Sequence, residues 1–273
     1  MGCSTSISLS VLFPITYVGL LHIVDHNGKN RNDLQSIRRR FVAALLNNLL
    51  LITITYVVLA QRNDPFPFRS MGFRTNGILA AIILPAILVT VLYTGQWLMI
   101  YFDGQFRRIV SISEWRTSFS QPIWIRDAIV APLTEEIAFR CCCASLLSDC
   151  LAPTMTIIVS PLFFALSHFH HVVDDTRQGV TLSLSIIMRA FQFTYTYLFG
   201  AYATYLFLST GHALAPIVTH SMCNSLGLPL FKEIGTFPNR WQRVLLWALY
   251  ASGMCGFMAL LNPLTRSELY QHW

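Results

Sequence analysis

Charge is what this sequence has least of. Only 12% of its 273 residues are Asp, Glu, Lys or Arg, while 54% are hydrophobic. A soluble domain carries about 25% charged residues, so the composition excludes a water-soluble enzyme and specifies a polytopic membrane protein. Also missing are a polar linker, a soluble-sized segment, an internal repeat and a low-complexity tract, so one domain over residues 1–273 is expected. Cys-x-x-Cys and His-Glu-x-x-His zinc spacings are absent, as is a well-placed Gly-x-Ser-x-Gly elbow. The seven cysteines are odd in number, and most fall inside apolar runs (Cys141, Cys142, Cys143, Cys223 and Cys255). That argues against a disulfide framework and reads them as small buried hydrophobes.

What is present is a series of apolar runs. At about 20 residues per span, eight fit, near 7–24, 41–60, 77–101, 122–147, 153–168, 184–208, 213–230 and 241–261. The expected fold class is all-α, a transmembrane bundle of about eight helices, with the second span clean. Pro85 predicts a kink in the third run. Pro132 predicts a bend one turn before the glutamates of the fourth, freeing backbone groups that neighbouring polar side chains can satisfy. The net charge of +6 sits mostly in the links and reads as a topology signal rather than a nucleic-acid footprint. With Arg189 included, the odd-numbered links hold about thirteen basic residues and the rest about four, which places the odd links in the cytosol and both termini on the far side. Met1-Gly2-Cys3-Ser4-Thr5-Ser6 fits an acylation pattern, but the apolar run from Ile7 makes a lipid anchor redundant.

Within the fourth run stand Glu135, Glu136 and Arg140. A charge at the centre of a membrane helix costs about 2.5–3.5 kcal/mol on insertion scales, so these three have to be paired. Glu136 and Arg140, four apart, share one helix face in the favourable order, while Glu135 points about 100° away. A purely structural ion pair accounts for Glu136 and Arg140 but leaves Glu135 unexplained. The other ionisable residues inside expected spans are Asp127, His168, Arg189 and His220, with Asn224 as an amide four residues after His220. Glu135 suits a general base toward water, His168 a partner for that proton, and His220 with Asn224 donors to an oxyanion. The set fits acyl hydrolysis by activated water. Any one membrane His or Asn alone is interhelical glue, worth about 0.6 kcal/mol. His168, His170 and His171 with Asp174 and Asp175 also have the composition of a metal site, at a span end where histidines sit comfortably in the wet interface.

Glu135-Glu136-x-x-x-Arg140, Phe164-x-x-x-His168 and His220-x-x-x-Asn224, in that order across successive helices, resemble the signature of the type II CAAX prenyl endopeptidases. These belong to a glutamate intramembrane protease superfamily that includes bacteriocin-immunity relatives. The motif-bearing core, about residues 122–230, carries the resemblance; the first 120 residues match only in hydrophobic layout, including Thr16-Tyr17-Val18-Gly19. The resemblance implies an eight-helix protease of the endoplasmic reticulum membrane, its site facing the cytosol. Such a protease removes the last three residues of farnesylated or geranylgeranylated CAAX proteins such as Ras-type small GTPases. It implies catalysis by Glu135 and His168, an oxyanion site from His220 and Asn224, support from Glu136 and Arg140, and neither metal nor cofactor. The alternatives are a non-enzymatic, immunity-type bundle that binds a membrane partner and a proton-coupled carrier, though the carrier lacks paired broken helices in matching halves.

Overall fold

In a bilayer every backbone N–H and C=O has to be satisfied inside the protein, and the apolar runs accordingly fold as helices. The structure, a computed structural model, describes residues 2–25 and 32–271, the His170 side chain excepted. Lys29 and Arg31, which contribute to the basic first link, lie outside the described residues. The main helices are α1 (Cys3–Ile23), α2 (Leu34–Gln61), α3 (Ile78–Leu92), α4 (Thr94–Phe102), α5 (Pro153–Ser167), α6 (Leu182–Thr210), α7 (Leu214–Leu226) and α8 (Arg240–Leu264). Between α4 and α5 runs the helical motif segment, residues 122–148. No strand occurs among the described residues, so the chain is an all-α membrane bundle.

Among the described residues, four stretches are long and apolar enough to cross a membrane: α1, α2, Pro153–Arg177 and α8. The bent pair α3 and α4 makes a fifth if taken as one span. The other three of the eight expected runs are helical but irregular. The motif segment changes helical register, α6 is diluted by Ser, Thr, Gln and Tyr, and α7 has 13 residues. At 1.5 Å per residue α7 is about 20 Å long, short of a hydrocarbon core of about 30 Å.

The chain divides into two compact units. The first comprises Met1–Thr75 with Leu133–Pro216. Here α1 turns Ser6, Ser10, Phe13 and Tyr17 inward, while Ile7, Val11, Leu12 and Ile15 face out. On α2, Asn47, Asn48 and Thr55 are buried and Leu45, Leu46, Leu49 and Leu50 are exposed. Small and polar residues mark the helix-facing side because lipid is as apolar as leucine. The second span is therefore not clean: its two adjacent asparagines are part of the buried face. α5 and α6 approach closely at Gly200, where a Cβ would come within 2.9 Å of Pro161 Cβ.

One expectation about cysteine is overturned in this unit. Cys3 and Cys150 form a disulfide, with Cα atoms 5.5 Å apart. Both lie at helix ends, outside the apolar centres that hold the buried Cys141, Cys142 and Cys143. Arg62, from the end of α2, donates to the Gly2 carbonyl (2.9 Å) and Ser6 Oγ (2.8 Å) and pairs with Asp149. The disulfide also takes Cys3 out of consideration for acylation.

The second unit comprises Asn76–Pro132 with Ile217–Trp273. α3 and α4 meet at 67°. The bend falls at Tyr93, not at Pro85, which stays buried inside α3. At the break, the Tyr93 hydroxyl donates to the Gly227 carbonyl (3.0 Å). α8 packs along both halves: a Cβ on Gly95 would meet the Tyr250 ring at 2.5 Å, and one on Gly253 would meet the Val91 carbonyl at 2.6 Å. Tyr250 donates from this contact to Gln96 Oε1 (2.8 Å).

Cys3→Ser is expected to lower stability by about 2–4 kcal/mol, read as a lower unfolding midpoint in detergent. Reductant should produce the same loss in the wild type and no further loss in the variant.

Candidate active site

The motif segment is not one regular helix. It runs as α-helix (Pro122–Ile125), π-helix (Arg126–Val130), α-helix (Ala131–Glu136), π-helix (Ile137–Ala144) and a last α turn (Ser145–Ser148). π-turns inside α-helices are frequent at functional sites, and here the first has an identifiable cause. Pro132 has no N–H, and the N–H of Ala131 is taken by the Arg126 carbonyl. The carbonyls of Asp127 and Ala128 thus lose their helical donors. α7 replaces them: Asn224 Nδ2 donates to the Asp127 carbonyl (2.9 Å) and Ser221 Oγ to the Ala128 carbonyl (2.5 Å). The asparagine assigned from sequence to an oxyanion thus spends one amide hydrogen on the bend, leaving the other.

In the first unit the second π-turn carries the ion pair. Arg140 Nη1 lies 3.0 Å from Glu136 Oε1, with the two side chains 1% and 0% exposed. The guanidinium also donates to the Gly200 carbonyl (3.3 Å) and lies 4.6 Å from the centroid of the Phe164 ring. Glu135, by contrast, is only partly buried.

His168 follows the last residue of α5 and is half-buried. Its Nδ1 is 2.9 Å from the Phe164 carbonyl. A carbonyl only accepts, so Nδ1 carries the proton and Nε2 presents the basic lone pair. The imidazole stands edge-on to Phe164 (4.9 Å, 83°), the same ring that Arg140 faces. The buried ion pair therefore buttresses the ring against which His168 rests. Beyond it, Asp175 is held by Arg189 (2.6 Å) and Ser185 (2.7 Å), and His171 lies 3.5 Å from Asp174. The carboxylates that suggested a metal site are engaged in these pairs.

Of the six residues singled out from sequence, Glu135, Glu136, Arg140 and His168 belong to the first unit, His220 and Asn224 to the second. His220 is buried, and Asn224 is exposed apart from its bond to Asp127. Sequence reasoning missed Ser221 and Asn48, whose amide donates to the Thr134 carbonyl (2.9 Å). The available signal was polarity within an apolar run.

Residues 117–226 match the family profile described as type II CAAX prenyl endopeptidase Rce1-like. A Caenorhabditis elegans protein named CAAX prenyl protease 2 is 46% identical over 253 residues, covering 93% of this chain and 95% of the relative. A Homo sapiens protein of the same name is 32% identical over 279 residues, covering 98% of this chain and 83% of the relative. The chain belongs to the type II CAAX prenyl endopeptidases. An Arabidopsis thaliana protein, also named CAAX prenyl protease 2, is 28% identical across 85% of this chain and 79% of its own length. No solved structure matches the chain. All six candidate residues of this endopeptidase family member fall inside the profile-matched region.

Arg140→Met should destabilise the protein by about 3–5 kcal/mol, because it leaves Glu136 buried without its partner charge. Glu136→Gln in the same chain is expected to recover much of that loss. Thermal unfolding of both singles and the double variant measures the coupling.

Proposed function

We propose that this chain is a membrane-embedded endopeptidase that removes the C-terminal tripeptide from prenylated Cys-a-a-X proteins. The observation that carries the reading is the ordered set Glu135-Glu136-x-x-x-Arg140, His168 and His220-x-x-x-Asn224 within the matched region of a chain whose relatives are named for this protease. A non-enzymatic bundle of the same superfamily is not favoured, since those relatives cover nearly the whole chain.

In this reading Glu135 and His168 Nε2 hold a water and take its proton as its oxygen attacks the carbonyl carbon of the prenylated cysteine. The carbonyl π electrons move onto oxygen, and His220 with the remaining amide hydrogen of Asn224 donates to that oxyanion. On collapse the C–N bond breaks and the proton passes to the leaving amine, giving a prenylcysteine carboxylate and a free tripeptide. Glu136 and Arg140 hold the frame. The contrast between a partly exposed Glu135 and a sealed Glu136 supports this division: a base has to reach water, and a buttress does not.

The substrates are farnesylated or geranylgeranylated proteins, including Ras-type small GTPases, drawn to the bilayer by about 0.8 kcal/mol per buried CH₂. The site faces the cytosol of an endoplasmic reticulum membrane. Two independent features support that orientation. The basic links favour the N-terminus on the lumenal side, and the Cys3–Cys150 disulfide at the same end suits an oxidising compartment. From Pro153, beside that disulfide, α5 climbs about 22 Å before reaching His168, by its 1.5 Å rise per residue.

Cleavage of a farnesylated Cys-a-a-X peptide by the purified protein in lipid tests the reading. Glu135→Gln and His168→Ala are each expected to lower kcat by about 10²–10⁴-fold with protein abundance kept. No cleavage by folded wild-type protein would overturn it.

A further inference from the structure

The N-terminal helix lies outside the matched region, yet it reaches the residue next to Glu135. Tyr17, on the buried face of α1, places its hydroxyl 2.9 Å from Thr134 Oγ1. Both side chains are sealed, at 6% and 1% exposure. Thr134 is gripped a second time through its carbonyl, which accepts from Asn48 Nδ2 on α2 (2.9 Å). Two turns back along α1, the Ser10 hydroxyl donates to the Cys143 carbonyl (3.4 Å), so α1 is bonded to the motif segment at two points.

Tyr17 is also linked, through two intervening rings, to the second half of the water-activating pair. Its ring meets Phe139 edge-on (6.0 Å), Phe139 meets Phe164 (5.0 Å), and Phe164 meets His168 (4.9 Å). One side chain is thus joined by a hydrogen bond to the backbone neighbour of Glu135 and by a ladder of rings to His168. All of these residues lie in the first unit.

We propose that Tyr17 is a positioning residue for the hydrolytic reaction: through its hydroxyl bond to Thr134 it sets the placement of Glu135 relative to His168. This inference rests on the endopeptidase reading above. Tyr17 does not touch substrate; it acts by holding a sealed polar contact at the residue before Glu135. Misplacement of a reacting group by about 1 Å costs on the order of 10²-fold in rate, so a brace one residue from the base is felt in kcat.

The test uses the full-length protein in lipid and the farnesylated peptide assay, with Tyr17→Phe, Thr134→Val, Thr134→Ser, the Tyr17→Phe/Thr134→Val double variant and Glu135→Gln side by side. Tyr17→Phe keeps the ring ladder and removes only the hydroxyl. It is expected to lower kcat by about 10–100-fold with KM little changed. Thr134→Val should match it, the double variant should be no worse than either single, and Thr134→Ser should keep wild-type kcat. Wild-type kcat in Tyr17→Phe while Glu135→Gln is inactive overturns the positioning role alone. Losses in the two single variants that multiply in the double overturn the shared-contact argument. Full activity in Glu135→Gln overturns the reading of the base, and the proposal with it. Circular dichroism and unfolding midpoints on the same samples separate misfolding from mispositioning: a kcat loss that tracks a loss of folded protein counts against the proposal.

Discussion

A guanidinium sealed inside a membrane bundle is stable only if its charge is met, and Arg140 shows what that demands. Its Nη1 needs Glu136, its Nη2 needs the Gly200 carbonyl, and its flat face needs Phe164. Each requirement constrains another element. The bond to Gly200 brings α6 so near that a Cβ there would stand 3.2 Å from Nη2 and 2.9 Å from Pro161 on α5. The stacking contact fixes Phe164, whose carbonyl holds the Nδ1 hydrogen of His168 and whose ring supports its imidazole. A single buried charge thereby ties the motif segment, α5 and α6 into one frame, with a histidine at its edge in a defined tautomer.

The two adjacent glutamates divide along the same line. Glu136 is fully withdrawn from solvent and committed to the frame. Glu135, one residue earlier and about 100° around the helix, stays partly exposed and is steadied through Thr134. The proposed reaction calls for this separation, because a carboxylate that handles water cannot also be the one that neutralises a buried arginine.

Much of this was legible in the chain itself. The run near 153–168 became α5 at Pro153–Ser167, and the four-residue spacing of Glu136 and Arg140 correctly foretold their pairing. What escaped had physical reasons. Pro85 removes one hydrogen bond, which a membrane helix tolerates, whereas the 67° bend at Tyr93 depends on Gly95 admitting a ring from α8, a contact distant in sequence. The Cys3–Cys150 disulfide has a sequence separation of 147 and no local signal. Asn47 and Asn48 were visible but inconspicuous, since a 20-residue window of hydropathy averages two amides away. The π-turns leave no mark in a pattern of period near four, because the apolar and polar positions look alike in either register.

The bend at Pro132 has a consequence for how this sequence is free to drift. The bend that goes with its missing N–H is what gives Ser221 and one hydrogen of Asn224, both on α7, their partners, the Ala128 and Asp127 carbonyls. A residue at 132 that restored the N–H would compete with those side chains for the same carbonyls, so the fitness of any exchange at 221 or 224 depends on what occupies 132. The three positions form an epistatic set. An effect measured at Asn224 alone sums a change in backbone support and a change at whatever its second hydrogen serves, and only variants built on both backgrounds at 132 separate the two.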